Sequence, residues 1–305
     1  MHIELAFIAI APAFMLICIG ILLRQTSFLH ENFWPSAEKI THYILFPAFL
    51  ISSIGLAGNL DASSKTVISI LSGISLIITI IVVVGCRLLR VEHAVVTSVL
   101  QGSIRFNSFI FLSISAGLMT PQQYGVSAVV VAYMVAISNT IVLFTFEKAG
   151  RRPSKLIGVI GKVILNPLIL ASVIGVTLNL AHLSVGPVVG KILEILGASA
   201  LPVSLMCVGA ALKLPRNNEQ IITFGFSTAA IRLLLFPALG LVAIRVFDVT
   251  HFSAYMIMLY CVLPCASNSY VLSKQYGGDH NLMAFVVALS TLLSFIPIFF
   301  VVSFM

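Results

Sequence analysis

Arg105 lies in Gly102-Ser103-Ile104-Arg105-Phe106-Asn107-Ser108, at the centre of a stretch that is otherwise apolar. A guanidinium in the middle of a membrane span costs about 3 kcal/mol or more, so it must face protein, water or an anionic partner. Towards a carboxylate it offers two parallel hydrogen bonds that an ammonium cannot copy. A second polar cluster, Leu263-Pro264-Cys265-Ala266-Ser267-Asn268-Ser269, interrupts another apolar stretch. Pro264 removes one backbone donor and frees a carbonyl about one turn earlier, and its small polar neighbours can solvate an unwound segment. The exposed N–H groups of a half-helix attract anions. Ser103, Arg105, Asn107, Ser108, Pro264, Ser267, Asn268 and Ser269 are therefore the candidate residues for binding an anionic substrate. Asn107 and Asn268 can alternatively hydrogen-bond across packed helices.

Other polar residues in apolar stretches carry weaker signals. Arg232, in Arg232-Leu-Leu-Leu-Phe-Pro237, and His42 are each read as a charge relay or a structural group. Glu38, Lys39 and Glu194 fall near the starts of apolar runs, where they can snorkel to water. Asp61 and Lys65 have the i,i+4 spacing of an exposed helix pair. No aspartate or glutamate falls mid-span, so a proton carrier or sodium ligand is not evident; uniport and coupling to H+ or Na+ all stay open. No cofactor or metal site is expected.

The surroundings of these residues fix the class of protein. Of 305 residues 59% are hydrophobic and 9% charged, with a mean hydropathy of +1.12. A water-facing surface needs about 25% charged residues, so no soluble fold can be covered. Hydropathy predicts ten spans, at about 4–23, 35–57, 66–86, 94–118, 124–146, 158–180, 188–212, 220–246, 252–273 and 281–304. Strand alternation is absent, so helices must satisfy the backbone in lipid. The excess of 17 basic over 10 acidic residues fits basic loops rather than nucleic acid binding, which needs a basic face on a soluble fold. The five cysteines lack metal-ligand spacing and read as small buried apolar residues. The first run has no basic stretch before it and Arg24 after it, which predicts a retained span rather than a cleaved signal.

With the N-terminus outside, Arg24, Lys39, Arg87, Arg90, Lys148, Arg151, Arg152, Lys155, Lys162, Lys213, Arg216 and Lys274 lie on the cytoplasmic side. Only Lys65, Lys191 and Arg245 lie outside. The positive-inside rule selects this orientation, with both termini out of the cytoplasm and the chain multi-pass in the plasma membrane, the inner membrane of a bacterium.

The hydrophilic stretch Glu147–Lys155 divides the chain into halves of five spans, 1–150 and 151–305. An odd number of spans turns homologous halves upside down, as in many secondary transporters. Several short motifs repeat in order at nearly constant offset. Ala11-Pro12 with Gly20 pairs with Asn166-Pro167 with Gly175, and Phe46-Pro47 with Leu201-Pro202. Asn107-Ser108-Phe109 pairs with Asn268-Ser269-Tyr270, and Val130-Val131-Ala132 with Val286-Val287-Ala288. The expected fold is an all-α membrane protein of ten helices in two inverted five-helix repeats.

The layout, Asn166-Pro167-Leu168, the Leu-Pro of the seventh span, the basic residue five before Pro237 and the Asn-bearing fourth and ninth spans resemble the auxin efflux carrier family. Its small bacterial members are permeases often described for malate or malonate. The resemblance implies broken fourth and ninth helices that cross at the centre, near Asn107 and Asn268. It also implies a transport domain of spans 3–5 and 8–10, and a scaffold of spans 1, 2, 6 and 7 that can form a homodimer. The sequence departs from the plant carriers in having no proline in the fourth span, where Gly102 and Ser103 would have to permit the break. The expected function is secondary transport of small mono- or dicarboxylates by alternating access. The rivals are a sodium-coupled symporter of the bile-acid type, an intramembrane enzyme and a sensor. The enzyme lacks a His-Glu-x-x-His, a paired intramembrane aspartate or a Gly-x-Ser-x-Gly motif to carry it.

Overall fold

In the computed structural model the residues described are 2–55, 62–149, 165, 167–181, 183, 185–211, 218–249, 251–266 and 269–303. Among them the regular elements are all helices and no strand occurs. The helices are α1 (His2–Gln25), α2 (Phe33–Ile40), α3 (Phe46–Gly55), α4 (Ala62–Leu88), α5 (His93–Ile104), α6 (Ser108–Leu118) and α7 (Pro121–Ala149). They continue with α8 (Pro167–Leu180), α9 (Pro187–Ala211), α10 (Glu219–Ala230), α11 (Phe236–Val246), α12 (His251–Cys261), α13 (Ser269–Tyr276) and α14 (His280–Ser303). Six stretches among the described residues are long and apolar enough to cross a membrane, including 93–118 and 219–246 taken across their interruptions. The chain is thus an integral, multi-pass membrane protein.

Two interruptions share one cause. Thr41–Leu45 joins α2 to α3, and Ile231–Leu235 joins α10 to α11, each as a π-helical turn. Both precede Phe-Pro: Phe46-Pro47 and Phe236-Pro237. Proline has no N–H and its ring collides with the carbonyl four residues back. Widening the preceding turn relieves both problems, and Phe46 N–H then reaches Thr41 O while Phe236 N–H reaches Ile231 O. Neither π turn follows from hydrophobic periodicity.

Packing sorts the helices into two groups. α1, α3, α8 and α9 lie mainly against one another, while α4, α5, α7 and α10 to α14 form the rest of the core. The α1–α9 seam is a reciprocal backbone contact: a methyl at Gly20 would strike Met206 O, and one at Gly209 would strike Ile17 O. A Cβ on Gly197 would come 2.9 Å from Phe49 Cα, so α9 also lies directly on α3. Between the groups Phe46 meets Phe109 with ring centroids 4.5 Å apart, and Phe49 meets Tyr124 edge-on at 6.5 Å.

A crossover, a buried arginine and a cavity

The fourth apolar stretch breaks at Arg105–Asn107. Helix α5 ends at Ile104, Arg105 is extended (φ −77°, ψ 140°), and α6 begins after Asn107 (φ −82°, ψ 94°). No proline is involved. Asn107 instead caps the new helix, its Oδ1 accepting from Phe109 N and Ile110 N at 3.1 and 3.2 Å. Gly102 and Ser103 do not make the break, contrary to expectation. Both remain helical: Ser103 Oγ donates to Val99 O, and a Cβ on Gly102 would come within 2.5 Å of Thr228 Cγ2. Gly102 is there so that α5 can approach α10 and α14.

The ninth stretch breaks after Cys261, and α13 starts at Ser269. The two interruptions are joined where they meet: Asn107 N–H donates to Pro264 O at 2.9 Å. Arg105, 4% exposed, donates from Nη1 to Gln101 Oε1 and to Ser269 Oγ, both at 3.1 Å. It therefore sits at the C-terminal end of α5, where a cation offsets the helix dipole, and ties that end to the start of α13. Ser267 and Asn268 lie outside the described residues, as do Asn166, Asp61 and the stretch 150–164.

Arg232 occupies the π turn before α11 and is fully buried. Its Nε donates to Leu263 O at 2.7 Å and its Nη2 to Tyr260 O at 2.8 Å. Tyr260 O is the carbonyl that residue 264 would satisfy in an unbroken helix, and Pro264 has no N–H to give it. The guanidinium thus takes over the carbonyls freed at the end of α12. It also lies 4.4 Å from the Phe236 ring centroid and 5.4 Å from that of Tyr260. Arg232 does not line the cavity described next.

A cavity of about 60 Å³ lies beside the crossover, between the two helix groups. On the same measure a water needs about 10–15 Å³, so several fit. One wall is Glu38, Thr41, His42 and Phe46 from α2, its π turn and α3, with Ser204 and Cys207 from α9. The other is Arg105 to Phe109 with Val135, Ser138, Asn139 and Ala266. Two of its polar atoms, Thr41 Oγ1 and Asn107 Nδ2, are buried without a hydrogen-bond partner among the described residues. Ser204 Oγ donates to Ala200 O and Ser138 Oγ to Val135 O, so these hydroxyls are already occupied.

The pattern of the membrane transport protein family matches residues 5–302, nearly the whole chain. The chain belongs to that family. No curated protein matches it at significant similarity. Members of the membrane transport protein family are transporters rather than enzymes.

Of the residues singled out in the sequence, Arg105, Asn107, Ser108 and His42 line the cavity. Ser269 and Pro264 support it through Arg105 and Asn107, and Ser103 faces its own helix. Thr41, Asn139 and Glu38 were missed as wall residues. Glu38 resembled a charge at a helix end because hydropathy begins the second span near residue 35. The helix begins at Phe33, and the cavity extends to its second turn. No group of three or more His, Cys, Asp or Glu residues able to hold a metal occurs among the described residues.

Proposed function

We propose that this membrane transporter carries small organic anions by alternating access, as a secondary transporter with its substrate at the crossover. In this reading α1 to α3, α8 and α9 are a scaffold that can pair two copies. The remaining helices are the transport domain, and the halves 1–150 and 151–305 are inverted repeats in the bacterial inner membrane. The observation that carries the reading is the crossing itself. Two helices stop in mid-core, Asn107 N–H bonds Pro264 O, and beside that contact Arg105 and Asn107 Nδ2, which has no partner among the described residues, face a cavity. Broken helices with an arginine at their junction are suited to an anion, because the low-dielectric surroundings strengthen each donor aimed at it.

The cavity also has a direction. It runs from the crossover towards Glu38, the end of the second span that loop charge assigns to the cytoplasm. On the opposite side Phe46, Phe49, Phe109 and Tyr124 close the boundary between the helix groups. This conformation is therefore read as open inwards and sealed outwards.

The test is homo-exchange of radiolabelled carboxylates by purified protein in liposomes, with protein-free liposomes subtracted. Wild type should exchange at least one small carboxylate. Arg105→Ala should reduce exchange about a hundredfold or more while still inserting, and Arg105→Lys should raise the half-saturating concentration, since it keeps charge without the fork. Normal exchange by Arg105→Ala would refute the anion site at the crossover.

A further inference from the structure

The cavity has an opposite charge at each end. At the crossover it presents Arg105 and the donor Asn107 Nδ2; about two helical turns down α2 and its π turn from Phe46, it presents Glu38. At 1.5 Å per residue these ends are on the order of 10 Å apart. Thr41 and His42, between them, can each donate or accept.

Among the described residues no cation is in contact with Glu38, which makes no hydrogen bond or ion pair there. Arg24, the cation whose field reaches it, lines a separate surface cavity with Ser27, His30 and Glu31. Lys39, its neighbour on α2, is exposed. Arg105 and His42 face it from across and along the cavity, and Cys207 from α9.

Resting on the anion reading above, we infer that the cavity selects a single carboxylate bearing a cation or a hydrogen-bond donor at its far end, and that Glu38 turns away a second carboxylate. The substrate carboxylate takes the Arg105–Asn107 end. A far-end ammonium or hydroxyl then meets the Glu38 carboxylate, whereas a far-end carboxylate meets a like charge in a partly desolvated space. Such a clash across a binding site discriminates by about tenfold to a hundredfold. Of the anions this transporter could take, dicarboxylates are thus the disfavoured group.

Four compounds with one carbon skeleton test this: γ-aminobutyrate, γ-hydroxybutyrate, butyrate and succinate. They share one carboxylate and differ at the far end, which is an ammonium, a hydroxyl, a methyl or a second carboxylate. Homo-exchange of each labelled compound is measured in proteoliposomes with wild type, Glu38→Gln and Glu38→Lys. Wild type should exchange γ-aminobutyrate and γ-hydroxybutyrate faster than butyrate, and succinate slowest, by about tenfold or more against γ-aminobutyrate. Glu38→Gln should compress that ratio towards one, and Glu38→Lys should reverse it. The wild-type order alone is decisive should either variant fail to insert. Succinate exchanged at least as fast as γ-aminobutyrate by wild type would overturn the selection by Glu38 while leaving the carboxylate reading intact. An unchanged ratio in an inserted Glu38→Gln would overturn it equally. Exchange of none of the four, with Arg105→Ala indistinguishable from wild type, would remove the anion site and this inference with it.

Discussion

The two π turns have the same design and different uses. Each precedes Phe-Pro, and each carries a basic residue five positions before the proline, His42 before Pro47 and Arg232 before Pro237. Arg232 finds the carbonyls of Leu263 and of Tyr260, the one that Pro264 leaves without its helical partner, and is sealed from solvent. His42 finds a cavity, and next to it Thr41 Oγ1 has no partner among the described residues. The backbone device is the same. What the facing element offers, main-chain carbonyls or open space, decides whether the residue is bonded into the fold or lines the cavity.

The largest effect should come from removing the buried cation. Arg232→Ala leaves the end of α12 uncapped and should cost about 3–5 kcal/mol, the range for losing one partner of a buried charged interaction. Detergent melting of the purified protein measures it, and a melting temperature equal to wild type would show that water or a neighbour replaces the guanidinium. Thr41→Val and His42→Ala should behave oppositely. Exchange should fall about tenfold, since a buried hydroxyl or a half-buried imidazole lining the cavity is lost, while melting shifts little. Parallel losses of melting and exchange in these variants would erase the distinction between the two turns.

The prolines give a finer comparison. Pro237→Ala and Pro47→Ala each remove the reason for the wide turn, and a return to α geometry would rotate the basic residue about 100° around its helix. Pro237→Ala should therefore lower stability, and Pro47→Ala should lower exchange with stability kept. At Asn107, loss of the α6 cap should cost about 1 kcal/mol of stability. Its exchange loss should exceed that, and Asn107→Ala with Asn268→Ala should be non-additive if the two share one site. Full additivity in exchange would place them apart.

Much of the crossover was legible in the sequence because its causes are local. A polar cluster with arginine cannot face lipid, and a proline must free a carbonyl one turn back, so breaks near Asn107 and Pro264 follow from chemistry within a few residues. The identity of the group that takes Tyr260 O does not follow, because Arg232 comes from another helix and no spacing encodes that contact. The role of Gly102 was misread for a similar reason: its need for space is set by Thr228 and Val286, which are distant in sequence. Glu38 was overlooked because hydropathy locates the edge of an apolar run, whereas the helix starts two residues earlier and the cavity extends along it. The π turns had a readable signal in the repeated basic-x-x-x-Phe-Pro spacing, which gains meaning only once the ring clash of proline is considered.

The seam between Gly20 and Gly209 has a consequence for how the chain is made. Its halves lie about 190 residues apart, and at about 5–20 residues per second the first helix waits roughly 10 to 40 s before the ninth is synthesised. Through that interval α1 must stand in the bilayer with its glycine face bare. It carries a single charge along 11–25, Arg24 in its last turn, so it can remain in lipid until its partner arrives. A side chain larger than hydrogen on either glycine would therefore be felt late in biosynthesis, as full-length chains that insert yet fail to mature.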